Sequence, residues 1–311
     1  MQTNKPKIIV VCGPTASGKT FVSIELAKIL GGEIISADSM QIYKELNIGT
    51  AKPTKEEMSG ILHRLIDIVS IKNGMFSVAD YVKRAGECTQ DIISRGKTPV
   101  ICGGTGLYID HFIKNTRFTE YENDIEYRKE LEKLPNEELY AELVKIDPQS
   151  ADIIHMNNKK RIIRALEIFK ITGKSKYEID AASRRENPEY DFIKFGLRYA
   201  DRNLLYGRIN KRVDGMLESG LLDEVEKLYK DGEENNIRRI GAIGYAEIID
   251  YYKGLCGFDE TAEKIKKNTR NYAKRQLTWF KKDLNTVWID IDEECIADPG
   301  KIIKNCLNYV H

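Results

Sequence analysis

Residues 7–20, Lys7-Ile8-Ile9-Val10-Val11-Cys12-Gly13-Pro14-Thr15-Ala16-Ser17-Gly18-Lys19-Thr20, pass from a β-branched apolar stretch straight into the pattern G-x-x-x-x-G-K-T. The apolar stretch, bounded by glycine, reads as a buried parallel strand. Beyond the loop, Val22, Ile24, Leu26, Ala27, Ile29 and Leu30 fit an inward-facing helix. Strand, glycine loop and helix together make a phosphate cradle: backbone N–H groups turn around an anion, and the helix N-terminus adds partial positive charge. Lys19 brings a full charge to phosphate oxygens, and the Thr20 hydroxyl is placed to ligate Mg²⁺. Gly13 to Thr20 is therefore the candidate phosphate site, with Thr20 the candidate metal ligand. By itself the loop suits ATP and a departing diphosphate equally.

Working outward, Glu33–Ala37 reads as a second strand closing on Asp38-Ser39, and His63–Val69 as a third. Tyr81–Arg95 reads as a helix ended by Gly96, leading into a strand at Thr98–Cys102. Alternation of this kind predicts an α/β fold, a P-loop NTPase-like open parallel sheet flanked by helices on both faces. From 115 to 190 the texture changes to Glu- and Lys-rich helical periods, Ile125–Leu134, Asn136–Ile146 and Lys159–Thr172. That stretch reads as a helical insertion domain. A strand returns at Asp191–Tyr199, followed by helices at Asn203–Ser219, Leu221–Asp231 and about Thr261–Lys282, and a strand at Thr286–Ile291. The expected division is a core of 1–114 with 191–311 and an insertion of 115–190.

The composition is that of a soluble globular protein: 41% hydrophobic and 31% charged over 311 residues. Lys and Arg number 49 against 48 acids, so any polyanionic partner has to be sought in local clusters. One such cluster runs from Lys266 through Lys267, Arg270, Lys274 and Arg275 to Lys281-Lys282, with no acid among them between 266 and 282. A second comprises Lys159-Lys160-Arg161 and Arg164, with Arg184-Arg185 near in sequence, while acids concentrate between Glu120 and Glu142. Basic stripes of this kind contact nucleic-acid phosphates and make affinity salt-dependent. The six cysteines form no C-x-x-C pair, which argues against zinc or a disulfide framework. The N-terminal apolar run is too short for a signal peptide or a membrane span. A cytoplasmic protein, without membrane association or an obligate protein partner, is expected.

Further motifs follow in order: Asp38-Ser39-Met40-Gln41-Ile42-Tyr43, Asn47-Ile48-Gly49-Thr50-Ala51-Lys52-Pro53, His63-Arg64-Leu65-Ile66-Asp67 and Gly103-Gly104-Thr105-Gly106-Leu107-Tyr108. After them come Arg164-Ala165-Leu166-Glu167, Thr172-Gly173-Lys174, Ile243-Gly244-Tyr245 and Ala273-Lys274-Arg275-Gln276-Leu277-Thr278-Trp279-Phe280. Together with the phosphate loop, and over almost the whole chain, these resemble the tRNA dimethylallyltransferases (tRNA isopentenyltransferases) of bacterial type. The resemblance implies transfer of a dimethylallyl group from dimethylallyl diphosphate to the exocyclic amine of the tRNA adenosine 3′ of the anticodon. It implies that Gly13–Thr20 grips the diphosphate rather than ATP, that Asp38 is the general base, and that Arg212 and Lys19 hold the diphosphate. It places tRNA contacts at Asp38, Ser39, Met40, Gln41, Thr105, Arg128 and Lys160, Arg161, Ile162, Ile163, Arg164; Lys274 and Arg275 belong to the basic helix. Two stretches depart from the family's habit. His155-Met156-Asn157-Asn158 stands where His-Pro-Asn-Asp is common, and Ala246 where Lys or Arg often follows Ile-Gly-Tyr.

Elementary chemistry agrees with these roles. Ligands of open α/β sheets sit beyond the carboxyl ends of the strands, where both the loop and Asp38 fall. An amine attacking an allylic carbon must lose a proton, and a leaving diphosphate is favoured by cations aimed at it. Gln41 has the donor and acceptor needed to read an adenine edge. Two other readings compete, a small-molecule or nucleotide kinase and a nucleic-acid-binding ATPase. The first lacks an arginine-rich lid motif, and the second lacks an acid at the end of Thr98–Cys102, where Gly103-Gly104 stands instead.

Overall fold

The computed structural model describes residues 5–116, 118, 124–183, 187 and 189–310. Its strands are β1 (Lys7–Cys12), β2 (Gly32–Ser36), β3 (His63–Arg64), β4 (Thr98–Gly103), β5 (Asp191–Tyr199) and β6 (Val287–Ile291). They form one sheet in the order β3-β2-β4-β1-β5-β6, and every pair is parallel. The helices are α1 (Lys19–Ile29), α2 (Val78–Ser94), α3 (Gly106–Ile113), α4 (Ile125–Lys133), α5 (Asn136–Ile146), α6 (Pro148–Ile153), α7 (Lys159–Thr172) and α8 (Lys176–Ser183). After β5 come α9 (Arg202–Glu218), α10 (Leu221–Lys230), α11 (Glu234–Ile240), α12 (Tyr245–Tyr252), α13 (Phe258–Phe280), α14 (Glu293–Ala297) and α15 (Gly300–Leu307).

The apolar run of β1 is buried on both faces because successive side chains alternate across the sheet. Ile9 and Val11 pack with α1, α14 and α15 through Val22, Leu26, Cys295 and Ile303. Ile8, Val10 and Cys12 pack with α2, α3 and the end of α13 through Tyr81, Ala85, Ile109 and Phe280. A third cluster gathers α9 to α13 around Ile42, Tyr43, Leu221, Ile248 and Ile265. The chain forms two compact units, Met1–Ile113 with Pro188–His311 and, separately, Lys114–Asn187. The second unit holds α4 to α8 around its own core of Leu139, Leu143, Ile162, Ile163 and Leu166.

The third strand is shorter than the apolar pattern of His63–Val69 implies. Leu65 and Asp67 take left-handed backbone, with φ of 61° and 57°, and turn the chain out of the sheet after Arg64. The segment then pairs elsewhere: Asp67 N–H donates to Gln41 O at 3.2 Å and Ile68 N–H to Ile42 O at 2.9 Å. The lost strand thus becomes a brace for the segment just after Asp38.

At the amino ends of the strands, Glu33 is buried among three cations. It accepts from Arg95 at 2.5 and 2.9 Å, Lys97 at 2.9 Å and Arg64 at 3.2 Å. Arg95 foremost lowers its carboxyl to about 2, against the opposing effect of burial. A depressed folded pKa means the stabilisation is complete above the ordinary value of 4.5 and is lost as pH falls through about 2. Because the cations are partly exposed, Glu33→Gln should cost about 2 kcal/mol at pH 7. In denaturant titrations that gap should close toward pH 2; a gap independent of pH would remove the cluster from the stability account.

Candidate active site

The phosphate loop leaves β1 at Gly13 and ends in the first turn of α1, so Lys19 and Thr20 open the helix. Lys19 Nζ donates to Pro14 O at 2.7 Å, inside its own loop. Burial pushes the Lys19 ammonium below the ordinary lysine range, while Cys102 and Asp38 nearby push the other way. Ser17 Oγ is buried without a hydrogen-bond partner among the described residues, and Ser17 is not on the cleft wall. Arg208 Nε donates to Ala16 O at 3.0 Å and so ties α9 to the loop.

Asp38 stands just past the end of β2. Its Oδ1 accepts Met40 N–H at 2.9 Å and Gln41 N–H at 3.4 Å, so the carboxylate caps its own turn. Among the described residues Oδ2 has no such bond. Thr105 Oγ1, after β4, accepts Ser39 N–H at 2.9 Å and lies 3.2 Å from Ser39 Oγ. Arg212 on α9 donates to Thr50 O at 3.3 Å; burial lowers its affinity for a proton, and the Asp38 charge opposes that. Tyr272 on α13 is held well above the ordinary tyrosine range, first by burial and then by Asp38.

A cleft of about 250 Å³ joins these groups. Thr15, Lys19, Thr20, Asp38, Ser39, Gly103, Arg212 and Gln276 line its polar part, and Met40, Val213, Met216, Leu221, Ile243 and Ile265 its apolar part. Lys19 and Arg212, cations that can hold an anion, therefore share a small space with one carboxylate that can take a proton, and Arg275 of α13 adds a third cation to the wall. For Mg²⁺ the donors present are the Thr20 hydroxyl and the Asp38 carboxylate, both on the cleft wall. Among the described residues no group of three or more His, Cys, Asp or Glu could enclose a metal ion. That set fits Mg²⁺ held largely by phosphate oxygens and water, as Mg²⁺ usually is in phosphoryl sites.

The other expected nucleic-acid contacts fare unevenly. Met40 and Gln41 line the cleft, but Gln41 Nε2 donates to Thr50 O and Ala51 O, both at 3.3 Å, leaving mainly its Oε1 to meet a base. Lys274 and Arg275 are exposed on α13, and the Arg275 guanidinium lies 5.7 Å from the centre of the Tyr272 ring. The stripe on α13 is less bare than its own sequence implies. Lys266 pairs with Asp214 of α9 at 2.8 Å as well as with Glu263, and Arg270 donates to Asn210 at 2.6 Å. Lys160 and Arg161 are exposed on α7. Ile162 and Ile163 need correction, because they are 0% and 5% exposed in the core of the second unit and cannot present side chains to a partner. Arg128 and Arg164 both donate to the buried Glu167, at 2.6 and 2.8 Å, which fixes them within that unit. Arg184 and Arg185 lie outside the described residues.

Gln276 has no role legible in the sequence, although it lies inside the Ala273–Phe280 motif. Its Oε1 accepts Thr15 N–H at 2.8 Å and its Nε2 donates to Gly104 O at 3.0 Å. One amide on α13 thereby joins the phosphate loop to the loop after β4. A glutamine buried among the apolar spacings of that helix was the available signal.

Sheet, phosphate loop and charged cleft define an α/β group-transfer enzyme of the phosphate-loop class. A family model described as IPP transferase matches residues 41–283. A tRNA dimethylallyltransferase of Thermoanaerobacter sp. (strain X514) is 47% identical over 309 residues, covering 98% of this chain and 97% of that protein. The crystal structure of the full-length tRNA isopentenylpyrophosphate transferase from Bacillus halodurans matches with a TM-score of 0.71 at 42% identity, over 98% of this chain and 96% of that one. Crystallographic snapshots of a eukaryotic dimethylallyltransferase acting on tRNA match with a TM-score of 0.80 at 30% identity, over 96% of this chain and 80% of that one. The chain belongs to the IPP transferase family.

Replacing Gln276 by Ala leaves Thr15 N–H and Gly104 C=O without their partner. Affinity for inorganic diphosphate, measured by calorimetry, should fall about tenfold. Unchanged affinity would make the bridge irrelevant to the loop.

Proposed function

We propose that this chain transfers the dimethylallyl group of dimethylallyl diphosphate to the exocyclic amine of the adenosine immediately 3′ of the anticodon in tRNA. The observation that carries the reading is the meeting of Lys19, Arg212 and Asp38 in one cleft beside the phosphate loop. The adenosine nitrogen attacks the allylic carbon, the carbon–oxygen bond breaks, and diphosphate leaves with the electron pair. Backbone N–H groups of Gly13–Thr20, with Lys19 and Arg212, hold the anion as its charge grows. Asp38 Oδ2 takes the proton the amine sheds, while the N–H groups of Met40 and Gln41 keep the carboxylate oriented through Oδ1. Thr20 would hold Mg²⁺ with the diphosphate, and the ion would supply further neutralising charge there.

The acceptor base must leave its stack to enter such a cleft, at an expense of a few kcal/mol that pocket contacts offset. The exposed Lys274 and Arg275 on α13, and Lys160 and Arg161 on α7, are suited to the phosphates of the anticodon arm. The relatives' names support tRNA as the acceptor. The apolar part of the cleft suits a five-carbon allylic group. The described residues contain no helix long and apolar enough to cross a membrane.

The test is to incubate the protein with unmodified tRNA and carbon-labelled dimethylallyl diphosphate, without ATP. Label should appear on the adenosine 3′ of the anticodon; transfer that requires ATP, or none at all, would contradict the reading. In the same assay Asp38→Asn should lower kcat by about 10²–10⁴-fold. Its tRNA affinity, from a filter-binding titration, should stay within about twofold. Undiminished turnover would remove Asp38 as the proton acceptor.

A further inference from the structure

The segment Asn47–Ala51 supplies carbonyls to the cleft, and it is held from behind. Glu224 of α10 accepts Asn47 N–H at 3.2 Å, Ile48 N–H at 3.0 and 3.1 Å, and Gly49 N–H at 3.4 Å. The same carboxylate accepts the hydroxyl proton of Tyr245 at 2.5 Å, at the start of α12. Three consecutive backbone N–H groups converging on one carboxylate form an anion-holding nest, here filled by the protein itself. Gly49 is required by the packing, since a Cβ there would collide with the Tyr245 ring, which is fully buried.

Just beyond the nest the chain is strained, for Ala51 takes a φ of 43°. That turn aims two carbonyls at the cleft. Thr50 O accepts both Arg212 Nη2 and Gln41 Nε2 at 3.3 Å, and Ala51 O accepts Gln41 Nε2 at 3.3 Å. Thr50 Oγ1 closes the turn by donating to Leu46 O at 2.8 Å. Glu224 itself touches neither Lys19 nor Asp38 and is absent from the cleft wall.

We infer that Glu224 and Tyr245 act as a clamp that presets the Asn47–Ala51 turn, so that Thr50 O holds the Arg212 guanidinium in position for a diphosphate. Glu224 is a positioning residue that works through Arg212. The inference rests on Arg212 being a diphosphate-holding cation, the role proposed above. A carboxylate suits the task because its two oxygens accept four donors at once, whereas an amide offers one acceptor oxygen. Charge-assisted bonds of this kind are also the stronger ones.

The test measures binding of inorganic diphosphate by calorimetry, so it proceeds whether or not tRNA is alkylated. Glu224→Ala should weaken diphosphate about tenfold, and Tyr245→Phe roughly two- to fivefold. Hydrogen exchange in the peptide spanning 46–52 should quicken in both. The deciding comparison is the cycle with Arg212→Ala: a clamp acting through that arginine makes the losses non-additive, so Glu224→Ala added to Arg212→Ala should weaken binding by less than about twofold more. Losses that multiply, or an unchanged affinity in a folded Glu224→Ala protein, would overturn the clamp. Should Glu224→Ala fail to fold, the cycle of Tyr245→Phe with Arg212→Ala decides the matter on the same criterion. Lack of diphosphate binding by the unaltered protein would instead overturn the role given to the phosphate loop and Arg212. Failure of tRNA alkylation beside a non-additive cycle would count against the proposed reaction and leave the clamp standing.

Discussion

At the carboxyl end of β4, Gly103 lies so near Ala37, just past the end of β2, that a Cβ on it would collide with the Ala37 carbonyl. The two strand ends run side by side past their last ladder pair, Ser36 with Cys102, because Ala37 N–H donates to Cys102 O at 2.7 Å and Thr105 N–H to Ala37 O at 3.1 Å. On the other side of β4, Cys12 pairs with Gly103. Phosphate loop, Asp38 and Thr105 therefore emerge level with one another at the same edge of the sheet. A side chain at 103 would push the β2 end away and separate the carboxylate from the loop. The proton transfer proposed for Asp38 depends on this close approach, since a proton acceptor even an ångström or so out of place loses much of its effect.

A second constraint comes from α13, which crosses the edge and contributes Thr269, Tyr272, Arg275 and Gln276 to the cleft. Its far end is anchored by a charge network around the buried Lys194. Lys194 of β5 lies 2.8 Å from Asp283 and 3.4 Å from Asp110, and Trp279 Nε1 donates to Asp110 at 2.8 Å. Such a network is worth less than its bonds suggest while intact, yet losing one partner strands a buried charge. Trp279 follows Gln276 by nearly one helical turn, so the anchor also fixes the rotation at which that amide meets Thr15 and Gly104.

Much of this architecture was legible because local pattern and global fold agree. The run from Ile8 to Cys12 is uniformly apolar since both its faces are covered, and β5 and the helices at Asn136–Ile146 and Lys159–Thr172 fall where their spacing puts them. Other elements were opaque for physical reasons. The His63–Val69 stretch is as apolar as a strand, but left-handed residues at Leu65 and Asp67 divert it, and nothing local announces them. Short helices such as α11, α12, α14 and α15 take their stability from packing, which a single chain's pattern does not display. In the cleft, Lys19, Thr20 and Asp38 were readable from motif and strand end. Gln276, Glu224 and Tyr245 were not, because Gln276 and Glu224 hold backbone groups distant in sequence and Tyr245 acts through Glu224. Ile162 and Ile163 mark the opposite error, since a motif match carries no information on which of its side chains point inward.

The central claim is that the loop at Gly13–Thr20 serves a departing diphosphate rather than a nucleotide. Competition binding on the free protein tests it most directly, with dimethylallyl diphosphate displaced by either inorganic diphosphate or ATP in the presence of Mg²⁺. A loop serving diphosphate predicts that inorganic diphosphate displaces the donor at concentrations near its own Kd, and that ATP does so far more weakly and is not hydrolysed. Tighter displacement by ATP, accompanied by its hydrolysis, would contradict it.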